Sequence, residues 1–231
     1  MNFVKTTIQK GIIIMKMPEL VIFDMDGLIF DSERLFMREM NNVMKNYGYS
    51  ITEEQYVSLL GLCDGMLISK MKEMFGDDYP FKEISSKTRE KTTLCAKNGE
   101  LKIKDGIIEL LKFFKEHNVP CTVASSTYAV HVKKYLEISG IDSYFKDITG
   151  GDSVKRSKPE PDIFLIACKK FGIKPENALV LEDSENGITA AYRAGIPVVC
   201  IPDMKYPDEE HLKKTALCLK TADMLIQNLK N

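Results

Sequence analysis

Apolar positions fall into five short runs rich in β-branched residues: LVIFDMD from Leu20, CTVASS from Cys121, DITGG from Asp147, ALVLED from Ala178 and VVCIPD from Val198. Each run has the length of a strand. Between the last four, the segments 128–139, 161–171 and 184–194 are amphipathic with a helical period. Gly140, Gly172 and Gly195 stand just past their ends, where a left-handed cap is wanted. Strands alternating with helices predict an α/β fold, a doubly wound parallel sheet forming a Rossmann-like core.

The alternation breaks between the first run and the second. Residues 33–102 carry helical patterns at 34–47, 53–60, 66–75 and 81–98, punctuated by Gly48, Gly61, Gly65, Gly76 and Pro80, and no convincing strand. This predicts an inserted helical-bundle cap domain. The α/β core then comprises 17–32 and 103–231. Residues 1–16 do not fit the pattern that starts at Pro18, and Met15 and Met17 offer internal starts, so the segment is expected to be an N-terminal tail or a mis-assigned start.

Composition narrows the function classes. With 231 residues, 32 basic and 33 acidic, the chain is long enough for one sizeable core and carries a net charge of -1. No global field recruits nucleic acid or an anionic membrane, so an anion site has to be local. The six cysteines are scattered singly, without CxxC pairs or zinc-ligand spacing, and are expected to be reduced thiols. No apolar run approaches the length of a membrane span. The expectation is a cytoplasmic monomer. His117, His131 and His211 have no spacing that builds a metal site and read as surface or helix-end residues.

Ligands of open parallel sheets bind beyond the carboxyl ends of the strands. There the first run ends in Asp24-Met25-Asp26-Gly27, the second in Ser125-Ser126-Thr127 and the fourth in Glu182-Asp183-Ser184, with Ser157-Lys158-Pro159 between the third and fourth. Carboxylates crowded at one point need a cation, and hard oxygen donors select Mg²⁺. Magnesium in turn suggests phosphate, for which Ser125, backbone N–H groups and Lys158 are donors. One aspartate of the first run would attack phosphorus and the other would protonate the departing oxygen. Taken one at a time, these residues also read as turn formers and helix caps. Only the constellation points to chemistry.

The blocks VIFDMDGLIFDSE, VASST, SKPEPDIF and LVLEDSENGITAAYRAG occur in one order over 19–203. In these the chain resembles the haloacid dehalogenase-like hydrolase superfamily, in the branch of sugar-phosphate phosphatases and β-phosphoglucomutase-like proteins. The resemblance implies that Asp24 is the nucleophile and Asp26 the general acid and base. It implies a Mg²⁺ held by the Asp24 carboxylate, the Asp26 carbonyl and Asp183, with Glu182 as a further or water-mediated ligand. Ser125, Ser126 and Lys158 would bind the transferring phosphoryl group of a small-molecule phosphate ester. An aspartate at 26 disfavours cleavage of C–halogen or C–P bonds, whose leaving groups need no such acid.

The acceptor is decided by the insert. β-Phosphoglucomutase resembles this chain in the core but uses cationic groups in the insert to hold a second phosphate. The matching positions here are Phe36, Leu60 and Asp64. Hydrolysis is therefore the expected reaction, a phosphosugar mutase the alternative, and a non-catalytic phosphometabolite sensor the second alternative. Several of the twelve methionines lie in the insert at helical spacing, at 37, 40, 44 and at 66, 71, 74, and read as core packing.

Overall fold

The continuous apolar runs become strands with both faces covered. Residues 7–9, 12–62 and 64–230 are described by a computed structural model. In chain order the strands are β1 (Thr7–Gln9), β2 (Ile12–Lys16), β3 (Leu20–Phe23), β4 (Cys121–Ala124), β5 (Phe145–Thr149), β6 (Ala178–Glu182), β7 (Val198–Cys200), β8 (Leu217–Cys218) and β9 (Leu229–Lys230). The helices are α1 (Ser32–Met44), α2 (Glu53–Val57), α3 (Asp64–Phe75), α4 (Phe81–Lys97), α5 (Ile107–Glu116), α6 (Ala129–Ile138), α7 (Asp162–Phe171), α8 (Glu185–Ala194) and α9 (Glu209–Leu212). They divide into two units, Met1–Phe30 with Ile103–Asn231, and Asp31–Lys102.

In the first unit a six-stranded sheet runs in the order β5-β4-β3-β6-β7-β8, every pair parallel. The chain fills one side of β3 with β4 and β5, then crosses to the other with β6, β7 and β8. The direction of winding thus reverses at β3, as expected of a doubly wound sheet. All four residues of β3 and all five of β6 are buried, which is why these strands read as solid apolar runs rather than alternating ones. On one face Leu20, Ile22 and Val180 pack with Ile163, Phe164 and Ala167 of α7 and Ile188 and Ala191 of α8. On the other, Phe23 meets Phe114 of α5 edge-on, with ring centroids 6.4 Å apart.

Three features differ from the sequence expectation. Helix α5 is not predicted above, although Ile107, Leu110, Leu111 and Phe114 recur at helical spacing and all four are buried. β8 and β9 have two residues each, too few to leave a periodic signal. Part of the stretch expected as a tail is instead strand: β2 pairs antiparallel with β1 and parallel with β9, where Met15 faces Leu229 and both are buried.

The second unit consists of α1 to α4, as the helical pattern predicts, with Val43, Ile51, Tyr56 and Ile84 inside. Thr52 and Gln55 close a reciprocal capping box on α2, so five residues suffice for a helix. Phe75 stacks on Tyr79 with ring centroids 5.1 Å apart, and Tyr49 meets both rings edge-on at 5.8 and 5.1 Å. Met40, Met44 and Met71 are core residues, whereas Met66 is 59% exposed and packs no core.

Cys95, Cys121, Cys168, Cys200 and Cys218 are free thiols, and Cys63 lies outside the described residues. Among the described residues no helix is long and apolar enough to cross a membrane.

Candidate active site

The register of the three central strands creates the site. Phe23 lies level with Val123 on one side and Leu181 on the other, so the next residue of each strand, Asp24, Ala124 and Glu182, emerges at one height at the carboxyl edge. Asp24 is held there by its N–H, which donates to the Leu181 carbonyl at 3.0 Å. Asp24 as a residue is 6% exposed and Glu182 is 1% exposed.

Two such carboxylates cannot stay ionised side by side without a counter-charge. Lys158 supplies it. Arriving from the segment before α7, its Nζ donates to Asp24 Oδ1 and to Glu182 Oε1, the latter at 2.7 Å, and lies 4.8 Å from the Phe164 ring centroid. Burial alone would lower the lysine's pKa, but the two carboxylates outweigh it and hold the ammonium above its ordinary value. Burial pushes the Asp24 carboxyl up to about 8 against the pull of Lys158, with the charges of Glu182 and Asp26 adding to the rise.

Asp26 follows on a tight loop in which the Ile29 and Phe30 N–H groups both return to the Met25 carbonyl, at 2.9 and 3.1 Å. Its Oδ2 accepts from Thr127 Oγ1 at 2.8 Å and, more weakly, from Ser125 Oγ at 3.4 Å. Ser125 is 1% exposed, and its hydroxyl also accepts the Thr127 N–H at 3.0 Å. Ser126 is exposed, and its side chain makes no hydrogen bond among the described residues.

Glu182 and Asp183 divide sharply. Glu182 Oε2 accepts from the N–H of Asp183 and of Ser184 and from Ser184 Oγ, at 2.9, 2.9 and 3.0 Å. With Oε1 on Lys158, both its oxygens are in use as acceptors. The Asp183 carboxylate has no hydrogen bond or ion pair among the described residues. Burial and the charges of Glu182 and Asp24 push it well above the usual carboxylate range.

The room for this arrangement is cut by glycine. A Cβ on Gly187, in the first turn of α8, would lie 1.7 Å from Glu182 Oε1. Gly187→Ala is therefore expected to displace the Glu182 carboxylate and, with it, Lys158. We expect a loss of about 2–4 kcal/mol in stability by denaturant melts, accompanied by a fall in turnover. Gly65→Ala is the control: nothing lies within 4 Å of the added methyl there, and the melt should hold or rise.

The structure brings Asp24, Asp26, Ser125, Lys158, Glu182 and Asp183 to one edge of the sheet and leaves the Ser126 side chain outside their hydrogen-bond network. It adds residues not singled out from the sequence. Thr127 stands in the hydroxyl run noticed there, but its bond to Asp26 spans 101 positions. Gly187 looks like any small residue in an amphipathic helix, and no local pattern marks it.

A family model described as haloacid dehalogenase-like hydrolase matches residues 21–201. A Drosophila melanogaster protein named "Probable pseudouridine-5'-phosphatase" is 34% identical over 208 residues, covering 87% of this chain and 89% of the relative. A Thermotoga maritima protein named "Phosphorylated carbohydrates phosphatase" is 30% identical over 178 residues, covering 77% and 82%. The crystal structure of CbbY from Rhodobacter sphaeroides in complex with phosphate is 26% identical with a TM-score of 0.73, covering 90% of this chain and 96% of that one. Motif blocks, sheet order and relatives agree: the chain belongs to the haloacid dehalogenase-like hydrolases, in their branch of sugar-phosphate phosphatases and β-phosphoglucomutase-like proteins.

Proposed function

We propose that this phosphoric monoester hydrolase cleaves a small phosphorylated metabolite, of sugar-phosphate or nucleoside-monophosphate type, with Asp24 as nucleophile and Mg²⁺ as cofactor. The observation that carries the reading is the arrangement around Asp24: a buried carboxylate at the end of the central strand, gripped by a buried lysine, with a second aspartate two residues on and a third carboxylate across the strand gap.

Asp24 would attack phosphorus to give an aspartyl phosphate. Asp26 would protonate the departing oxygen and later take a proton from the water that opens the phosphoenzyme. The Thr127 and Ser125 hydroxyls keep Asp26 beside the β4 loop, where the phosphoryl oxygens are expected. Lys158 offers its charge to those oxygens and holds the Asp24 carboxylate in place. Glu182 works through Lys158: with its oxygens committed to the lysine and to the start of α8, it positions the cation, which leaves at most a water-mediated part in metal binding.

Family members of this kind use a divalent metal, and the donor set here fits one. The oxygens of Asp24 and Asp183 are hard, and among the described residues the Asp183 carboxylate lacks the hydrogen bonds that would satisfy it. With the Asp26 carbonyl, which accepts no backbone hydrogen bond among the described residues, these groups would hold Mg²⁺. Bound there, the ion would neutralise the crowded carboxylates and the charge of the incoming phosphate. Since both acids sit above the ordinary carboxylate range without a metal, binding would also release protons.

Phe36, Leu60 and Asp64 offer no cation to a second phosphate. Phe36 instead faces Tyr56 with ring centroids 6.5 Å apart, and the Asp64 side chain lies outside the described residues. Water is therefore the acceptor in this reading. The test is phosphate release from a panel of sugar phosphates, nucleoside monophosphates and polyol phosphates. Release is expected with Mg²⁺ and lost with EDTA. Conversion of β-glucose 1-phosphate to the 6-phosphate faster than its hydrolysis would favour the mutase.

A further inference from the structure

Lys104 belongs to none of the motif blocks, yet its side chain ends on the backbone of Gly27, next to Asp26. It lies on the segment through which the chain re-enters the first unit, and its backbone N–H donates to the Ile29 carbonyl at 2.9 Å. Its ammonium donates to the Gly27 carbonyl and to Asp203 Oδ1, each at 2.6 Å. The Lys104 and Asp203 side chains are 17% and 4% exposed, so this is a shielded pair rather than a rim contact.

What Lys104 grips is the residue between two proposed metal ligands. Gly27 is held at both ends, its N–H by the Phe30 carbonyl at 3.0 Å and its carbonyl by Lys104. It sits at φ +78°, and a Cβ there would come within 2.3 Å of Asp183 Oδ2. The Gly27 backbone is thus wedged against the Asp183 carboxylate, with the Asp26 carbonyl attached on its other side. Any movement of Gly27 changes the separation of those two oxygens, which come from different strands and have no direct link.

We propose that Lys104 is a positioning residue that sets the spacing between the Asp26 carbonyl and the Asp183 carboxylate and thereby the affinity of the site for Mg²⁺. The proposal rests on the reading of that pair as metal ligands. Two effects of the lysine have opposite signs. Its positive charge beside the site, acting alone, weakens cation binding, because like charges repel. Its grip on Gly27 strengthens it, because Mg²⁺ demands near-octahedral geometry and tolerates little displacement of its ligands.

The test is Mg²⁺ titration by calorimetry of the wild type, Lys104→Met and the double variant Lys104→Met/Asp203→Asn, with melting temperature recorded for each. The double variant also removes the Asp203 charge that pairs with Lys104. Both variants are expected to bind Mg²⁺ at least about tenfold more weakly than the wild type, the range seen when outer-shell partners of metal ligands are lost. A purely structural role would lower the melting temperature and leave the affinity of the folded fraction unchanged. Unchanged or tighter binding by folded Lys104→Met, or by the double variant where the single one does not fold, overturns the proposal while the metal reading stands. Failure of the wild type to bind Mg²⁺ overturns both.

Discussion

Asp24→Asn is expected to fold, melt close to the wild type and release phosphate on the order of 10⁴-fold more slowly. The substitution keeps shape and volume but replaces the proposed oxygen nucleophile with an amide that does not attack phosphorus. Lys158 keeps Glu182 Oε1 as a partner at 2.7 Å, so the cation is not stranded. Relief of the carboxylate crowding offsets part of what the lost ion pair gave. A second readout separates chemistry from placement. Acid-quenched wild type incubated with labelled substrate should carry label that hydroxylamine removes, as an acyl phosphate does, and the variant should carry none. Turnover within tenfold of the wild type would end the covalent reading.

Lys158→Met should be the most damaging single change for stability. Methionine preserves the stem against Phe164 but removes the charge between Asp24 and Glu182, whose side chains are 9% and 1% exposed. Stranding partners of a buried ion pair costs about 3–5 kcal/mol, and two carboxylates are stranded here. Loss of the cation proposed to face the phosphoryl oxygens should lower turnover by a further factor on the order of 10²–10³. The sign of the pH effect follows from Asp24. Its carboxyl already sits at about 8, and without the lysine it rises further. A folded-state acid with a raised pKa destabilises the fold as pH climbs from the unfolded value towards the folded one. In wild type and variant alike the folded-state carboxyl stays protonated well below pH 8, so the variant's deficit in denaturant melts should be level from about pH 5 to 7 and widen as pH rises past about 8. A deficit that does not widen above that point would mean that the carboxylates are not what the lysine serves.

Much of the core and several of its chemical residues are legible in the sequence because each signal is local. β3 and β6 announce themselves by unbroken apolar runs, and the polar residues that end them are the ones at the sheet edge. Their chemistry can be read because a parallel sheet aligns strand ends, which turns residues distant in sequence into neighbours by rule. What could not be read depends on side-chain reach. Thr127 and Asp26 meet across 101 positions, and Lys104 and Gly27 across 77, with nothing in either segment that specifies the partner. The resemblance implies Glu182 as a further or water-mediated ligand of the metal. The geometry of Glu182 shows an oxygen folded back onto the start of α8, within reach of the longer glutamate side chain, a choice between two adjacent acids that composition does not encode. Helix α5 is hard to read for another reason. Its apolar positions are correctly spaced, but it starts just after the insert ends and precedes the first strand of the repeating alternation, so no neighbouring pattern frames it.

The paired crossing segments have an evolutionary corollary. Phe30 and Ile103 face each other in an antiparallel bridge, and just beyond them the Asp31 N–H donates to the Lys102 carbonyl at 2.9 Å. Antiparallel partners lie about 5 Å apart at Cα, the separation closed by an ordinary hairpin turn. The seventy-two residues from Asp31 to Lys102 therefore occupy the place of a loop tip. Recombination could exchange that tip for one of another length or composition without altering the register of any strand in the sheet. A lineage could thus replace the insert wholesale and inherit the aspartates, the lysine and the sheet edge intact.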